Sequence, residues 1–156
     1  MPKRTAEFDH LDMFVGEWET TGEIKMIGVD EPFKITGTSS AKWECDKRLV
    51  VDRAEYDMGP LGSMTGVTVW GFEPKSGKFR MWWFDSFSES ATGRASYDEK
   101  TRTWSMKTKG KNAWCNIVNK GTIRQVDNDT LEWTWTQWDA WHIWKISEMK
   151  GTSRRK

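Results

Sequence analysis

Cysteine is scarce in this 156-residue sequence, which contains only Cys45 and Cys115. Two cysteines are too few for a disulfide scaffold, and these two lack the spacing of metal ligands. We therefore expect both to be buried thiols, although a redox pair between them stays open. The sequence predicts no metal site.

An excess of either charge is also lacking, because 24 Lys and Arg residues balance 23 Asp and Glu residues. A general nucleic-acid binder needs surplus positive charge to neutralise phosphates. The one basic cluster, Arg154–Lys156, is terminal and is expected to be a solvated tail. The composition therefore predicts no nucleic-acid partner.

Long apolar runs are missing as well. The first twelve residues carry five charged side chains, and no segment approaches the roughly 18 apolar residues of a membrane span. We therefore expect no secretory signal, no membrane partner and a cytoplasmic location.

Signatures of nucleophilic catalysis and of phosphate binding are absent too. There is no Gly-x-Ser-x-Gly elbow, and Gly59–Gly62 lacks the lysine and the helix of a phosphate loop. The sequence therefore names no catalytic residue, and Gly59–Gly62 is expected to be a hairpin turn.

Tryptophan is abundant instead, with 12 residues beside 7 Phe and 2 Tyr. Trp carries a large apolar area and one N–H group that needs a partner when it is buried. Such rings either fill a core or line a cavity, and composition alone leaves both interpretations open.

Alternation with period two dominates the chain after a short helical stretch at 5–14. Within 18–26, for example, Trp18 and Ile24 share one face while Glu19 and Glu23 share the other. Short Gly-, Pro-, Asn- and Asp-rich breaks favour consecutive hairpins. The predicted strands are 18–26, 33–45, 48–58, 63–72, 78–87, 91–97, 103–109, 112–126, 130–138 and 142–152. The sequence thus predicts a single all-β domain over residues 1–156, an antiparallel up-and-down β-barrel of about ten strands with a short N-terminal helix.

Two hairpins predict which side chains point inward. A two-residue loop at Asp139-Ala140 would place Gln137 opposite His142. The inward residues of this hairpin would then be Leu131, Trp133, Trp135, Gln137, His142, Trp144, Ile146 and Glu148. The hairpin around 73–78 would add Met64, Thr68, Trp70, Phe72, Phe79, Met81, Trp83, Asp85 and Phe87. A slip of one residue in either hairpin would reverse these faces.

The segment Leu11–Trp18, with Gly16 two residues before Trp18, resembles the opening of lipocalin-like (calycin) barrels. More of the chain resembles one bacterial lipocalin-like family, the domain of unknown function 1579. The resembling stretches are Trp43–Val50, Gly66–Phe72, Lys78–Ser86, Gly93–Asp98 and Glu148–Arg154.

This resemblance implies an antiparallel barrel plugged by the N-terminal helix. It also implies that Trp18 packs near Arg154 or Arg155 at the closed end, as a cation–π pair. The family brings no activity with it. The sequence departs from the family's usual pattern in its extra tryptophans, which are Trp135, Trp138, Trp141 and Trp144.

The leading functional hypothesis is a small-molecule-binding protein that holds a hydrophobic or aromatic ligand in a Trp-lined barrel interior. The predicted walls of the site are Trp70, Trp83, Trp135 and Trp144. The predicted polar contacts are Asp85, Gln137, His142 and Glu148. No resident cofactor is predicted.

Three alternatives remain open from sequence. Asp85 or Glu148 would serve a small acid–base enzyme, such as an isomerase, cyclase or lyase. His142 would ligate haem, as a histidine on a late strand does in nitrobindin-like barrels. The barrel would otherwise be a packed structural domain. A homodimer through Trp138 and Trp141 is a further hypothesis.

Overall fold

The computed structural model describes residues 4–156, which form a closed antiparallel barrel. Each strand pairs with its neighbours in sequence, and β1 pairs with β10 to close the barrel. The strands are β1 Gly16–Met26, β2 Phe33–Glu44, β3 Leu49–Asp57, β4 Ser63–Glu73, β5 Lys78–Asp85, β6 Ser90–Asp98, β7 Thr103–Lys111, β8 Asn116–Asp127, β9 Thr130–Asp139 and β10 Lys145–Arg155. Two 3₁₀ segments accompany them, Ala6–Phe14 and Gly59–Leu61. The predicted all-β barrel of about ten strands is confirmed.

The alternation of the sequence places apolar side chains inside the barrel. On β1, Trp18, Thr20 and Ile24 are buried, while Glu17 and Glu19 are exposed. The hairpin of β4 and β5 has the predicted register, with Phe72 opposite Phe79 and Thr68 opposite Trp83. Residues that pair across strands share a face. Trp70, Trp83 and Asp85 therefore point inward as predicted.

The 3₁₀ segment Ala6–Phe14 defines one end of the barrel, here called the plug end. Its apolar side chains Phe8, Leu11, Met13 and Phe14 are buried. The Phe14 ring stacks on Trp70 with centroids 4.6 Å apart, and Trp104 is wholly buried beside both rings. This end is therefore filled by aromatic side chains.

Trp18 and Arg155 close the plug end. The Trp18 indole N–H donates to the Phe14 carbonyl at 2.8 Å, and the Arg155 guanidinium carbon lies 4.3 Å from the Trp18 ring centroid. The Arg155 guanidinium also donates to the Val15 carbonyl. Of the two arginines that the resemblance suggested, Arg155 makes the contact, and Arg154 is exposed.

The opposite end, here called the far end, is formed by five connections. They are the loops 27–32, 58–62, 86–89, 112–115 and 140–144. Within residues 4–156, none of the helical segments has the length and apolar character needed to span a bilayer.

The predicted register of the last hairpin is wrong. The Asp139 carboxylate accepts the backbone N–H groups of Ile143 and Trp144, which stabilises a loop of five residues instead of two. Lys145 then pairs with Trp138.

A register shift follows between Lys145 and Ser147, so that Ser147, and not His142, lies opposite Gln137. Three predicted site residues change place as a result. His142 and Trp144 lie exposed in the loop, and Glu148 points outward beside Lys145.

Two smaller predictions also fail. Phe87 lies in the exposed loop 86–89 and not on the inward face of β5. Cys45 and Cys115 are free and exposed, which contradicts their predicted burial. Cys45 follows β2 at the plug end and Cys115 precedes β8 at the far end, so the two thiols are too far apart to pair within the chain.

Candidate functional site

The barrel interior toward the far end is divided into two sectors of different polarity. The sector formed by β1 to β4 is apolar and has Ile24, Ile35, Met58 and Met64 as its buried core. The sector formed by β7 to β9 is polar. Its buried side chains include Thr108, Asn119 and Gln137.

Glu89 joins the polar sector from the loop between β5 and β6. One of its carboxylate oxygens accepts the Gln137 amide at 2.8 Å, and the other lies 3.5 Å from the Asn119 amide nitrogen. Asn119 also donates to the Thr108 hydroxyl at 3.2 Å. We call Asp85, Glu89, Thr108, Asn119 and Gln137 the polar cluster.

Asp85 holds Glu89 in position. One Asp85 carboxylate oxygen accepts the backbone N–H groups of Phe87 and Glu89, at 2.9 and 3.0 Å. The other accepts the Trp83 indole N–H at 2.9 Å. This carboxylate therefore fixes both the loop and the indole, and its hydrogen-bonding capacity is largely used by the fold.

Burial raises the pKa of the Glu89 carboxyl above its usual value, because the charged form is poorly solvated inside the barrel. The amide of Gln137 opposes this effect, while the nearby charge of Asp85 adds to it. Burial inside the barrel therefore favours the neutral form of Glu89.

Asn119 contributes an unsatisfied acceptor to the cluster. Its side chain is wholly buried, and its Oδ1 atom has no hydrogen-bond partner among residues 4–156. A buried acceptor without a partner is costly, since it loses its hydrogen bonds to water on folding. A ligand with a donor group would satisfy it.

The structure brings together five of the eight predicted site residues in the barrel interior, at different depths. Asp85 and Gln137 belong to the polar cluster, and the partly buried rings of Trp83 and Trp135 line the interior near it. Trp70 is buried in the aromatic core of the plug end.

The other three predicted residues lie outside the site. The His142 ring lies against Trp138, with centroids 6.2 Å apart, and Trp144 is 62% exposed. Glu148 pairs with Lys145 at 3.3 Å on the outer surface. The haem hypothesis required His142 to face the barrel interior, and His142 is instead exposed in the loop 140–144.

Sequence reasoning missed Glu89 and Asn119. Glu89 lies between two predicted strands, where side chains carry no period-two signal. Asn119 lies within a predicted strand, between Ile117 and Gly121 on the same face. A polar residue at an inward position of an otherwise apolar strand face was the available signal.

A second buried carboxyl, Asp52, lies deeper on β3. Burial raises its pKa to about 6, although a hydrogen bond from Ser39 favours the charged form. Its Oδ1 atom has no hydrogen-bond partner among residues 4–156. Burial and the charge of Asp52 also raise the pKa of the Tyr56 phenol.

Two open grooves lie away from the polar cluster. One runs over the outer face of β8, β9 and β10, and the other lies at the plug end beside His10 and Arg155. No three His, Cys, Asp or Glu side chains of residues 4–156 are arranged to hold a metal ion.

Comparison with solved structures supports the architecture. The structure of Rv2717c from M. tuberculosis has a TM-score of 0.76 at 11% identity, with 99% of this chain and 99% of that chain covered. The S-type phycobiliprotein lyase CPES from Guillardia theta has a TM-score of 0.68 at 12% identity, with 98% and 94% covered. At these identities the likeness shows the fold alone.

Comparison by sequence gives a family but no curated relative. No curated protein matches the chain. The family described as "Protein of unknown function (DUF1579)" matches residues 3–154, which is nearly the whole chain. Together with the closed barrel and the Trp18–Arg155 pair, this match shows that the chain belongs to the DUF1579 family.

Proposed function

We propose that this protein binds a small, flat and mostly apolar molecule in the far end of its barrel. The observation that carries the proposal is the polar cluster, in which the buried Asn119 Oδ1 has no hydrogen-bond partner within residues 4–156, next to Glu89 and Gln137. Few placed polar groups within a mostly apolar cavity are typical of small-molecule sites.

The cluster defines the polar group that such a ligand would carry. Asn119 Oδ1 is an acceptor, and the oxygens of Glu89 each retain a lone pair beyond the amide that they already accept. A ligand with an N–H or O–H donor would complete these hydrogen bonds. A ligand anion would instead meet the charges of Glu89 and Asp85.

Trp83 and Trp135 would supply apolar walls for the body of the ligand. Trp83 is tied to the cluster through its bond to Asp85, and Trp135 lies two residues before Gln137 on the same face of β9. The two barrel proteins of similar fold include a phycobiliprotein lyase, but at 12% identity that likeness does not name the ligand.

A pair of probes that differ in one group tests this proposal. Naphthaleneacetamide carries an N–H donor on an aromatic body, and naphthaleneacetate carries a carboxylate in its place. We expect the amide to change the tryptophan fluorescence and to bind more tightly than the acid in calorimetry at neutral pH. Equal binding of both probes, or of neither, would overturn the proposal.

Matched variants locate the site. Asn119→Leu removes the free acceptor and is expected to weaken amide binding roughly fivefold or more. Gln125→Leu, which changes a partly buried amide on the same strand but near the plug end, is the control and leaves binding unchanged. If the two variants weakened binding equally, the site would not be the polar cluster.

The second candidate function is acid–base catalysis, and Glu89 is the observation that favours it. Its raised pKa and its place beside Asp85 are features of a general acid or base. Among the carboxyls predicted for this role, Asp85 is bound to the loop 86–89 and Glu148 is outside the barrel. A substrate that turns over in the wild type but not in Glu89→Gln, while binding of the naphthalene amide persists, would establish catalysis.

A further inference from the structure

Exposed apolar side chains are concentrated at the far end. Nine large apolar residues of 4–156 are strongly exposed, and eight of them lie on or beside the far-end loops. We call these eight the apolar crown: Ile27, Leu61, Phe84, Phe87, Trp114, Trp141, Ile143 and Trp144. The ninth, Val126, lies at the plug end.

Two adjacent loops supply the largest part of the crown. Trp114 is 87% exposed and Trp141 is 83% exposed. The loops 112–115 and 140–144 contain no Asp, Glu, Lys or Arg. Water-exposed indoles have an unfavourable solvation free energy, which contact with an apolar phase would relieve.

Hydrogen bonds fix both loops in their outward conformation. The Asn112 side-chain oxygen accepts the N–H groups of Trp114 and Cys115, each at 2.9 Å. The Asp139 carboxylate accepts N–H groups of the loop 140–144, including that of Trp141 at 3.2 Å. The indoles are therefore presented by ordered loops, which lowers the entropy cost of docking.

A band of positive charge borders the crown on the outer face of the barrel. Lys107, Lys109 and Lys111 alternate outward along β7 and lead directly into the loop that carries Trp114. Arg94 and Lys120 flank them on the neighbouring strands, where both pair with Lys107. Among residues 4–156, none of these five cations forms an ion pair with a carboxylate; we call them the basic band.

We propose that the apolar crown and the basic band together dock on the surface of an anionic lipid bilayer. Tryptophan is the side chain best suited to the membrane interface, and lysines beside it attract acidic headgroups. Sequence predicted no membrane partner because the chain lacks a spanning run, but docking at the interface needs only loop tips.

A second copy of the chain is the competing occupant. A symmetric dimer through the crown would bring two basic bands close to each other, and like charges across an interface oppose association. The separate loop tips also suit a deformable apolar phase better than a rigid copy of themselves. The inference does not depend on the ligand proposed for the barrel interior.

Vesicle sedimentation tests the proposal with the full chain. We expect the wild type to sediment with vesicles of phosphatidylcholine and phosphatidylglycerol, and to bind much less to phosphatidylcholine alone. Rising salt should weaken the binding, because it screens the basic band. No binding to the acidic vesicles would overturn the proposal.

Two pairs of variants separate the crown and the band from the rest of the surface. The double variant Trp114→Ser, Trp141→Ser should reduce the bound fraction roughly tenfold or more, while Val126→Ser should not change it. Lys109→Gln with Lys111→Gln should reduce it roughly fivefold or more, while Lys75→Gln with Lys100→Gln at the plug end should not.

Light scattering of the same variants measures their oligomeric state and so tests the competing dimer. All four variants change exposed residues, so circular dichroism should show them folded as the wild type is. A dimer that is lost in the Trp114→Ser, Trp141→Ser protein, without vesicle binding by the wild type, would assign the crown to a second copy. Vesicle binding that both variant pairs retain would place the membrane contact elsewhere.

Discussion

The plug end and the far end of this barrel are built from the same strands but differ in which side chains are buried and which are exposed. At the plug end, Phe14, Trp70 and Trp104 pack ring against ring. There the Trp18 indole N–H donates to the Phe14 carbonyl, and Arg155 donates to the Val15 carbonyl. At the far end, carboxyl and amide groups lie inside, and the indoles of Trp114, Trp141 and Trp144 lie exposed outside. The difference separates an end whose buried rings stabilise the fold from the end at which we propose that a ligand binds.

The largest expected effect concerns a tryptophan at each end. Trp104→Ala should lower the free energy of unfolding by about 3–5 kcal/mol, because it leaves a cavity among fully buried rings. Trp141→Ala should change it by less than about 0.5 kcal/mol, because that indole is 83% exposed. Urea unfolding measures both. Similar losses in the two variants would contradict the comparison.

The next largest effect on the free energy of unfolding should come from Asp52, which lies between the two ends. Its pKa of about 6 in the folded protein exceeds the ordinary value of about 4 in the unfolded chain. The folded state therefore binds the proton more tightly, and wild-type stability falls as the pH rises from about 4 to about 6.

Asp52→Asn removes this titration and should raise the free energy of unfolding at neutral pH by roughly 2–3 kcal/mol. Urea unfolding at several pH values measures how the free energy of unfolding changes between pH 4 and pH 6. Glu55→Gln, at an exposed position of the same strand, is the control and should leave the pH dependence unchanged. A wild type whose stability is flat between pH 4 and 6 would refute the assignment.

A variant of Arg155 tests how much the closure of the plug end contributes to stability. Arg155→Met removes the cation over Trp18 and the bond to the Val15 carbonyl, and should cost about 1–3 kcal/mol of unfolding free energy. Arg154→Met is the matched control, since its side chain is exposed on the other face of β10. Thermal unfolding measures the stability of both variants. Equal stabilities would argue against a closing role for the Trp18–Arg155 pair.

Among the buried polar groups, Glu89 should give the smallest effect on stability. Its raised pKa has the same sign as that of Asp52, so ionisation of Glu89 lowers stability as the pH rises above the usual carboxyl value. Two amides already bind the carboxylate, and Glu89→Gln should therefore change the free energy of unfolding by less than about 1 kcal/mol at neutral pH. A large loss would mean that the polar cluster is part of the stabilising core.

Local pattern was enough for most of the fold. Alternation with period two predicted the strands and the inward faces of Trp70, Trp83, Trp135 and Gln137, because each strand buries one face against the interior. The plugged end was implied by the family resemblance, which begins at the Gly16–Trp18 motif. The last hairpin failed because the Asp139 side chain stabilises a five-residue loop, and loop length sets the register of a hairpin.

The sequence by itself determined an antiparallel barrel with a tryptophan-rich interior, because side-chain alternation and turn residues act locally. Only the tertiary structure decided which polar groups meet. Glu89 reaches Gln137 across 48 positions of sequence, and the Asn119 amide lies 3.5 Å from the same carboxylate. Barrel closure brings these side chains together, and no pattern confined to one strand records the curvature that does so.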